Sequence, residues 1–211
     1  GMTWGRAMHE FVEQLAKDER LRSLSFQNVK VVPFLGTPGA IQSDSWNTTT
    51  YSNTLATKVG NLLHCASYNL SAPMYVEGTK EKELIESIDE IAKVLHMAET
   101  ADIALIGIGS MQDDSSIIKA EIRTKEEYKE LVRKGAVGEI VGRIYDKNGQ
   151  TVDEDLKRKM VGISLDKIAK IPVRVGMSYG KDKIEAIKGA IAGGLVNVLV
   201  TDVPTAELLL K

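Results

Sequence analysis

The sequence has 211 residues, 43% of them hydrophobic and 27% charged, with a formal net charge of −2. This length and composition suit one large α/β domain, or two small ones, with an ample core. The charge balance leaves no electrostatic footprint for nucleic acid or for an anionic membrane surface, so direct binding to either is excluded as a main activity of these residues.

Helices and strands are predicted to alternate along the chain. Apolar residues at helical spacing predict the helices, and short β-branched runs that end at Gly or Pro predict the strands. The predicted elements are helix 6–17, strand 28–36, loop 37–52, helix 53–64, helix 87–99, strand 102–109, helix 124–135, hairpin 143–152, strand 172–178, helix 181–194, strand 196–202 and helix 204–211. This order predicts an α/β fold with a mostly parallel sheet and helices on both faces.

Local signals mark the ends of several elements. Thr124 is predicted to be the N-cap of its helix, and Gly135 is predicted to stop it. The dipeptide Asn148-Gly149 predicts a hairpin turn within a small antiparallel excursion over 140–153, beside the main sheet. The polar loop over 37–52 is long for a compact domain, and loops of that length are usually functional or mobile.

Sites built on cysteine or histidine are disfavoured. Cys65 is the only cysteine, which excludes an internal disulfide, and the three histidines lack the H-x-x-x-H spacing of a zinc site. No Ser–His–Asp arrangement or pair of acids with divided roles is present, so we predict no catalytic residues, no metal and no cofactor. Without a signal peptide or an apolar run of roughly 18 residues, a cytoplasmic protein is expected.

Two turns could present backbone amides to a ligand, because ligands of open α/β sheets bind at strand ends beside helix N-termini. Gly5 directly precedes a predicted helix, where it either helps to cradle an anion or simply caps the helix. Gly36 and Thr37 follow the second strand, where they either approach a ligand closely or form an ordinary turn.

Two further strand ends carry weaker signals. The glycines that begin at Gly107 could border a ligand, although they do not form G-x-G-x-x-G, which disfavours a dinucleotide site. Lys181 and Lys183 stand at the start of a helix, where a cation is electrostatically misplaced unless it faces an anion. A lysine exposed to solvent is the alternative for both positions.

The acid Glu139 stands in "GAVGEIVGR" without another charge for three positions on either side. A carboxylate beside an anion site is useful when the ligand also has hydroxyl groups to donate, as a sugar does. The alternatives are a salt bridge to Arg143 or Lys183, or an exposed turn. Asn53 opens a predicted helix and either caps it or reaches a ligand.

Several segments together resemble the effector-binding domain of the SorC family of bacterial transcriptional regulators, which includes the deoxyribonucleoside and central glycolytic gene regulators. These segments are "TWGRAM", "VVPFLG", "NLSAP", "ADIALIGIG", "GAVGEIVGRIYDKNG", "KMVGISLDKIAKIP" and "VNVLVTDVPTAELLL". The resemblance covers nearly the whole chain. It implies a Rossmann-like domain, related to sugar-phosphate isomerases and CoA-transferases, over residues 2–211.

The resemblance also implies the function and the binding residues. The domain would bind a phosphorylated sugar without a covalent bond and, as a homo-oligomer, control operator binding by an attached helix-turn-helix. The family's binding positions fall on Gly5, Arg6, Ala7, Gly36, Thr37, Asn53, Glu139 and Lys183. With Gly107, the strand-end glycine noted above, the predicted binding residues number nine. A sugar-phosphate isomerase or lactonase of the same fold, with Glu139 as general base, is the alternative.

This sequence departs from the family pattern in three respects. The helix-turn-helix is absent, so operator DNA would be contacted only through that missing N-terminal domain. The helix and strand that usually precede Trp4-Gly5 are also absent, so the sequence is truncated or a strand position beside the Gly5–Ala7 turn is open. Leu35 replaces a Lys or Arg of some relatives, which excludes a Schiff base there, and Ala7 replaces a common Thr.

Overall fold

The computed structural model describes residues 1–38 and 48–211. Most of the loop predicted over 37–52 therefore lies outside the described residues. The strands are β1 (Lys30–Val31), β2 (Ala66–Ser67), β3 (Ile103–Gly107), β4 (Gly109–Ser110), β5 (Ala136–Ile140), β6 (Arg143–Asp146), β7 (Val173–Met177) and β8 (Val198–Val200). The α-helices are α1 (Arg6–Leu15), α2 (Ser52–Leu62), α3 (Thr79–Glu86), α4 (Asp89–Glu99), α5 (Ser116–Lys119), α6 (Lys125–Arg133), α7 (Glu154–Lys159), α8 (Leu165–Ile168), α9 (Ile184–Ala192) and α10 (Val203–Leu209).

Residues 1–3 join two parallel groups of strands. β1 pairs with β2, and β7 lies between β3 and β8, with every pairing parallel. The Met2 N–H donates to the Val32 carbonyl at 3.0 Å, and the Thr3 N–H donates to the Leu105 carbonyl at 3.0 Å. Residues 1–3 therefore lie between β1 and β3. They occupy the strand position beside the Gly5–Ala7 turn.

The resulting strand order places the functional region. Across the sheet it runs β2, β1, residues 1–3, β3, β7 and β8. Counted along the chain, this is the order 3-2-1-4-5-6 of a doubly wound fold. In such folds the ligand crevice lies where the order reverses, which here is between the ends of residues 1–3 and β3. The predicted α/β fold with a mostly parallel sheet is thus confirmed.

A second, antiparallel sheet stands beside the first, as predicted. It has the order β4-β5-β6, and the turn between β5 and β6 has φ of 55° at Val141 and 68° at Gly142. Two positive φ values between paired strands are typical of a type I′ hairpin. The predicted turn at Asn148-Gly149 is also present, but it closes only a short return in which Tyr145 pairs with Thr151.

The helices follow from their amphipathic patterns and caps. Thr124 and Glu127 form a complete capping box at the start of α6, and Gly135 follows the helix with a φ of 97°. The largest core cluster surrounds Phe34 and Ile106. A second cluster packs α1 and α2 against residues 1–3 and β1. Helices α3, α5, α7 and α8 are short, and the sequence patterns did not predict them.

Candidate functional site

A cavity of about 830 Å³ opens at the point where the strand order reverses. It is bordered by the turn into α1, by the chain that leaves β3, by β5, and by the turn between β7 and α9. Its lining residues are Trp4, Gly5, Arg6, Ala7, His9, Glu10, Thr50, Gly107, Ile108, Gly109, Ser110, Asp114, Ser115, Ser116, Glu139, Ser178, Tyr179, Asp182 and Lys183. The polar lining suits a hydrophilic ligand.

The turn into α1 presents backbone donors to this cavity. Gly5 is the N-cap, with a φ of 110° that favours glycine, and no side chain caps the helix. The first-turn N–H groups, which begin at Arg6 and Ala7, therefore have no acceptor within the helix. Because the helix dipole adds positive potential at this end, the turn suits an anion such as a phosphate.

The chain that leaves β3 approaches the cavity closely. The Gly107 N–H donates to the Thr3 hydroxyl at 2.9 Å, which ties the two central strand ends together. A Cβ at Gly109 would lie 2.8 Å from Glu139 Oε2. Glycine at position 109 therefore leaves the space that the Glu139 carboxylate occupies.

Glu139 is a nearly buried acid, 6% exposed, in the wall of the cavity. Its Oε1 accepts a 2.5 Å hydrogen bond from the Gly142 N–H of the hairpin turn, and the Trp4 side chain also donates to it. Burial raises the pKa of Glu139, while the two donors and the charge of Lys183 act in the opposite direction. A carboxyl group of this kind can accept a hydrogen bond from a ligand hydroxyl and can donate one when it is protonated.

The salt-bridge alternative for Glu139 is wrong with respect to both predicted partners. Arg143 points away and donates through Nη2 to the carbonyls of Met160 and Gly162, at 3.1 Å and 3.0 Å. Lys183 donates to the Ser110 hydroxyl at 2.8 Å and lies 3.8 Å from the Asp182 carboxylate. The Lys183 ammonium thus reaches the cavity from the turn before α9 and is held there by displaceable partners.

Six of the nine predicted binding residues meet in this cavity, and three do not. The six are Gly5, Arg6, Ala7, Gly107, Glu139 and Lys183. Thr37 and Asn53 line a separate recess of about 660 Å³ with Thr54, Thr57, Lys58, Asn61, Asn69 and Ser71. Gly36 lines neither space, and its N–H donates to the Val161 carbonyl at 3.1 Å.

Asn53 also does not cap α2. Tyr51 is the N-cap residue of that helix, and Asn53 lies within the first turn. The Asn53 side chain donates to the Thr37 hydroxyl at 2.9 Å and to the Leu70 carbonyl at 3.1 Å, and it accepts from the Leu70 N–H at 2.9 Å. The amide therefore joins α2 to two strand ends, and the capping interpretation is wrong.

Eleven polar or aromatic residues of the lining were not predicted from the sequence, among them Trp4, Ser110, Asp114 and Asp182. Trp4 and Asp182 are immediate neighbours of the predicted positions Gly5 and Lys183, and Ser110 lies three residues after Gly107, so each predicted segment pointed to them indirectly. Asp114 had no signal of its own, because it lies in the connection between β4 and α5 and reaches the cavity only through tertiary packing. Over the described ranges 1–38 and 48–211, no cluster of three metal-ligating residues occurs and no helix could cross a membrane.

Comparison with known proteins gives one consistent result. A family model described as "Putative sugar-binding domain" matches residues 1–211. The sorbitol operon regulator of Klebsiella pneumoniae is 30% identical over 213 residues, which cover 100% of this chain and 64% of that protein. The transcriptional regulator LsrR of Escherichia coli O157:H7 is 35% identical over 159 residues, which cover 74% of this chain and 50% of that protein.

Solved structures agree with the sequence relatives. The crystal structure of the full-length sorbitol operon regulator SorC from Klebsiella pneumoniae has a TM-score of 0.87 at 31% identity, covering 100% of this chain and 64% of that chain. A DeoR family transcriptional regulator from Listeria monocytogenes has a TM-score of 0.85 at 25% identity, covering 99% of this chain and 78% of that chain. The chain thus spans half to two thirds of the length of these curated relatives.

Proposed function

Because the chain belongs to the sugar-binding domain family of SorC- and LsrR-type transcriptional regulators, we propose that it is an effector-binding domain whose ligand is a phosphorylated sugar held non-covalently. The single observation that carries this proposal is the content of one cavity. An uncapped helix N-terminus and Lys183 face the same space as the buried carboxyl group of Glu139. The first two suit a phosphate, and the third suits sugar hydroxyl groups.

In the proposed complex, the amides of Arg6 and Ala7 hold the phosphate, and the Lys183 ammonium neutralises part of its charge. Gly5 opens this turn, and its own N–H donates to the Thr50 carbonyl at 3.0 Å. Glu139 accepts from a sugar hydroxyl group. Burial of this acid favours a neutral donor such as a hydroxyl, because a second negative charge in the same buried space would be unfavourable. Leu35, which replaces a Lys or Arg of some relatives, is 1% exposed and offers no amine, so no Schiff base can form at that position.

The whole-protein function follows from the relatives and is likewise a proposal. Binding of the sugar phosphate would shift the population of a homo-oligomer between two arrangements. A helix-turn-helix outside this sequence would then bind or release operator DNA. The involvement of Gly36, Thr37 and Asn53 in ligand binding remains a prediction, and the proposed site rests on the six residues that line the cavity.

The test is to titrate the purified chain with a panel of sugar phosphates and their parent sugars and to measure its melting temperature with each compound. The variant Trp46→Phe leaves Trp4, in the cavity wall, as the only tryptophan, so its fluorescence reports binding directly. We expect one sugar phosphate to bind while its parent sugar does not. At about a hundred times its Kd, a ligand stabilises the native state by about 2.7 kcal/mol.

Two lysines two positions apart provide a matched control. Lys183→Met removes the cavity cation and should weaken binding of the sugar phosphate about tenfold to a hundredfold. Lys181→Met removes the same charge from an exposed position outside the cavity, so we expect less than a twofold change. Equal effects of the two variants would contradict the site. Prolonged incubation of the chain with the sugar phosphate can be monitored by NMR. Chemical conversion of the sugar phosphate would contradict the sensor function and support the isomerase or lactonase alternative.

A further inference from the structure

The cavity contains an ion pair at its mouth that the proposed function does not use. Arg6 Nη2 lies 2.9 Å from Asp114 Oδ2, and these two residues are 108 positions apart in the chain. Arg6 is the first residue of α1, and Asp114 precedes α5. Both residues line the cavity, so this ion pair spans its opening between the helix N-terminus and the chain that follows β4.

The position of Arg6 explains why it needs an anion. A cation at a helix N-terminus is repelled by the positive end of the helix dipole unless an anion faces it. In this structure that anion is Asp114. Partial burial raises the pKa of Asp114, but the hydrogen bond from Arg6 and the charges of Arg6, Lys119 and Lys183 outweigh it and leave the pKa lowered. Asp114 is therefore ionised at neutral pH.

The second cation of the cavity shows the same arrangement. Lys183 lies 3.8 Å from the Asp182 carboxylate and donates to Ser110, which in turn lies 3.5 Å from Asp182. Arg6 and Lys183 are therefore each already paired with an acid, Arg6 with Asp114 from a distant segment and Lys183 with Asp182 of its own turn. An incoming phosphate must compete with these acids for its cations.

We propose that Asp114 competes with the ligand's phosphate for Arg6, so that it lowers the affinity of the cavity for every phosphate-bearing ligand and leaves anions that make no other contacts bound too weakly to fill it. This inference rests on the proposed function, because it concerns the phosphate end of the same site. Inorganic phosphate has no sugar hydroxyl groups to bind Glu139 and cannot compensate for the repulsion by Asp114. A sugar phosphate makes both sets of contacts and binds despite this repulsion.

The test compares Asp114→Asn with Asp113→Asn, its exposed neighbour outside the cavity lining. Both variants change the net charge by the same amount, and both positions are on the surface, so both variants should fold. The probe is inorganic phosphate, titrated at low salt and followed by the amide NMR signals of Gly5 and Arg6. We expect Asp114→Asn to bind phosphate about threefold to fivefold more tightly than the unmodified chain, and Asp113→Asn to stay within twofold.

Two further measurements separate competition for Arg6 from a general field effect. The increase in phosphate affinity that Asp114→Asn causes should shrink in about 0.5 M salt, where exposed charges are screened. In a double-mutant cycle, Asp114→Asn is also introduced into the Arg6→Gln variant. There it should no longer increase phosphate affinity, because Arg6 is absent. Equal gains from the two Asp variants, a gain that survives Arg6→Gln, or no phosphate binding by Asp114→Asn would overturn the inference.

Failure of this inference can be distinguished from failure of the proposed function. If a sugar phosphate binds the unmodified chain but Asp114→Asn changes nothing, only the role of Asp114 is wrong. If Asp114→Asn gains phosphate affinity but no sugar phosphate binds either protein, the competition at Arg6 stands and the effector class is wrong.

Discussion

The cavity at the strand switch and the recess beside Asn53 contain similar residues but use them differently. In the cavity, the first-turn amides of α1 have no acceptor in the helix. Lys183 is held by Ser110 and Asp182, its two partners within residues 1–38 and 48–211. In the recess, the Thr37 N–H donates to Ala72, its carbonyl accepts from Met74, and its hydroxyl accepts from Asn53. Polar groups at one strand end can bind a ligand, while those at the other already hold the fold together.

The same contrast applies to two glycines. A Cβ at Gly36 would lie 2.5 Å from the Ala72 carbonyl oxygen and 2.6 Å from that of Pro73. A Cβ at Gly109 would meet Glu139 Oε2 at 2.8 Å. The first obstacle is backbone, which moves only with the surrounding chain, whereas the second is the end of a flexible side chain.

The largest effect is expected from alanine at these two positions. Gly36→Ala should destabilise the domain by about 3 kcal/mol, because the new methyl group overpacks a backbone contact. Gly109→Ala should destabilise it by only about 1 kcal/mol, but it should weaken sugar-phosphate binding at least tenfold by displacing the Glu139 carboxylate. Urea unfolding measures the first quantity and ligand titration the second. If Gly36→Ala does not fold at all, its loss of unfolding free energy is larger than about 3 kcal/mol. Equal losses of unfolding free energy in the two variants would contradict the difference between the two glycines.

An intermediate effect is expected at Asn53. Asn53→Ala leaves the N–H and carbonyl groups of buried Leu70 without their side-chain partner, which should cost about 1–3 kcal/mol of unfolding free energy. Ligand affinity should stay within twofold, because both hydrogens of the Asn53 amide and one lone pair of its oxygen already bond within the fold. Asn61→Ala is the control, since this exposed residue is on the same helix and lines the same recess. A large loss of affinity in Asn53→Ala without loss of stability would return Asn53 to the binding site.

The smallest effect is expected from the ionisation of Glu139, which should make the unfolding free energy depend on pH. Because its folded-state pKa is raised, the folded protein holds its proton more tightly than the unfolded chain does. The unfolding free energy should therefore fall as pH rises from about 4.5, the ordinary value, through the raised pKa. The slope from this one group is at most about 1.4 kcal/mol per pH unit.

Glu139→Gln isolates that contribution, because glutamine has nearly the same shape and does not ionise. The stability of Glu139→Gln relative to the unmodified protein should increase between pH 4 and pH 7, since only the unmodified protein must ionise a buried acid. Chemical unfolding at several pH values measures the difference. A difference that stays constant with pH would show that Glu139 is better solvated than its position in the cavity wall implies.

Most elements could be predicted from local signals. The capping box of α6 satisfies its own first-turn amides with residues three apart, so no other part of the chain is needed to define that end. The helices of the final third follow from their apolar spacing in the same way. The short helices α5, α7 and α8 could not be predicted, because four to six residues are too few to show a period and are held by packing.

The sequence by itself determined the alternation of strands and helices, the α/β class, and the unusual acid among small residues at Glu139. These features depend on spacing and composition within a few residues. The tertiary structure alone decided that residues 1–3 lie between β1 and β3, that Arg6 faces Asp114, and that Asn53 bonds to Leu70. Each of these contacts joins residues from 17 to 108 positions apart, so no local pattern encodes it. A polar residue becomes a binding group only where such distant contacts leave its hydrogen-bonding capacity unused.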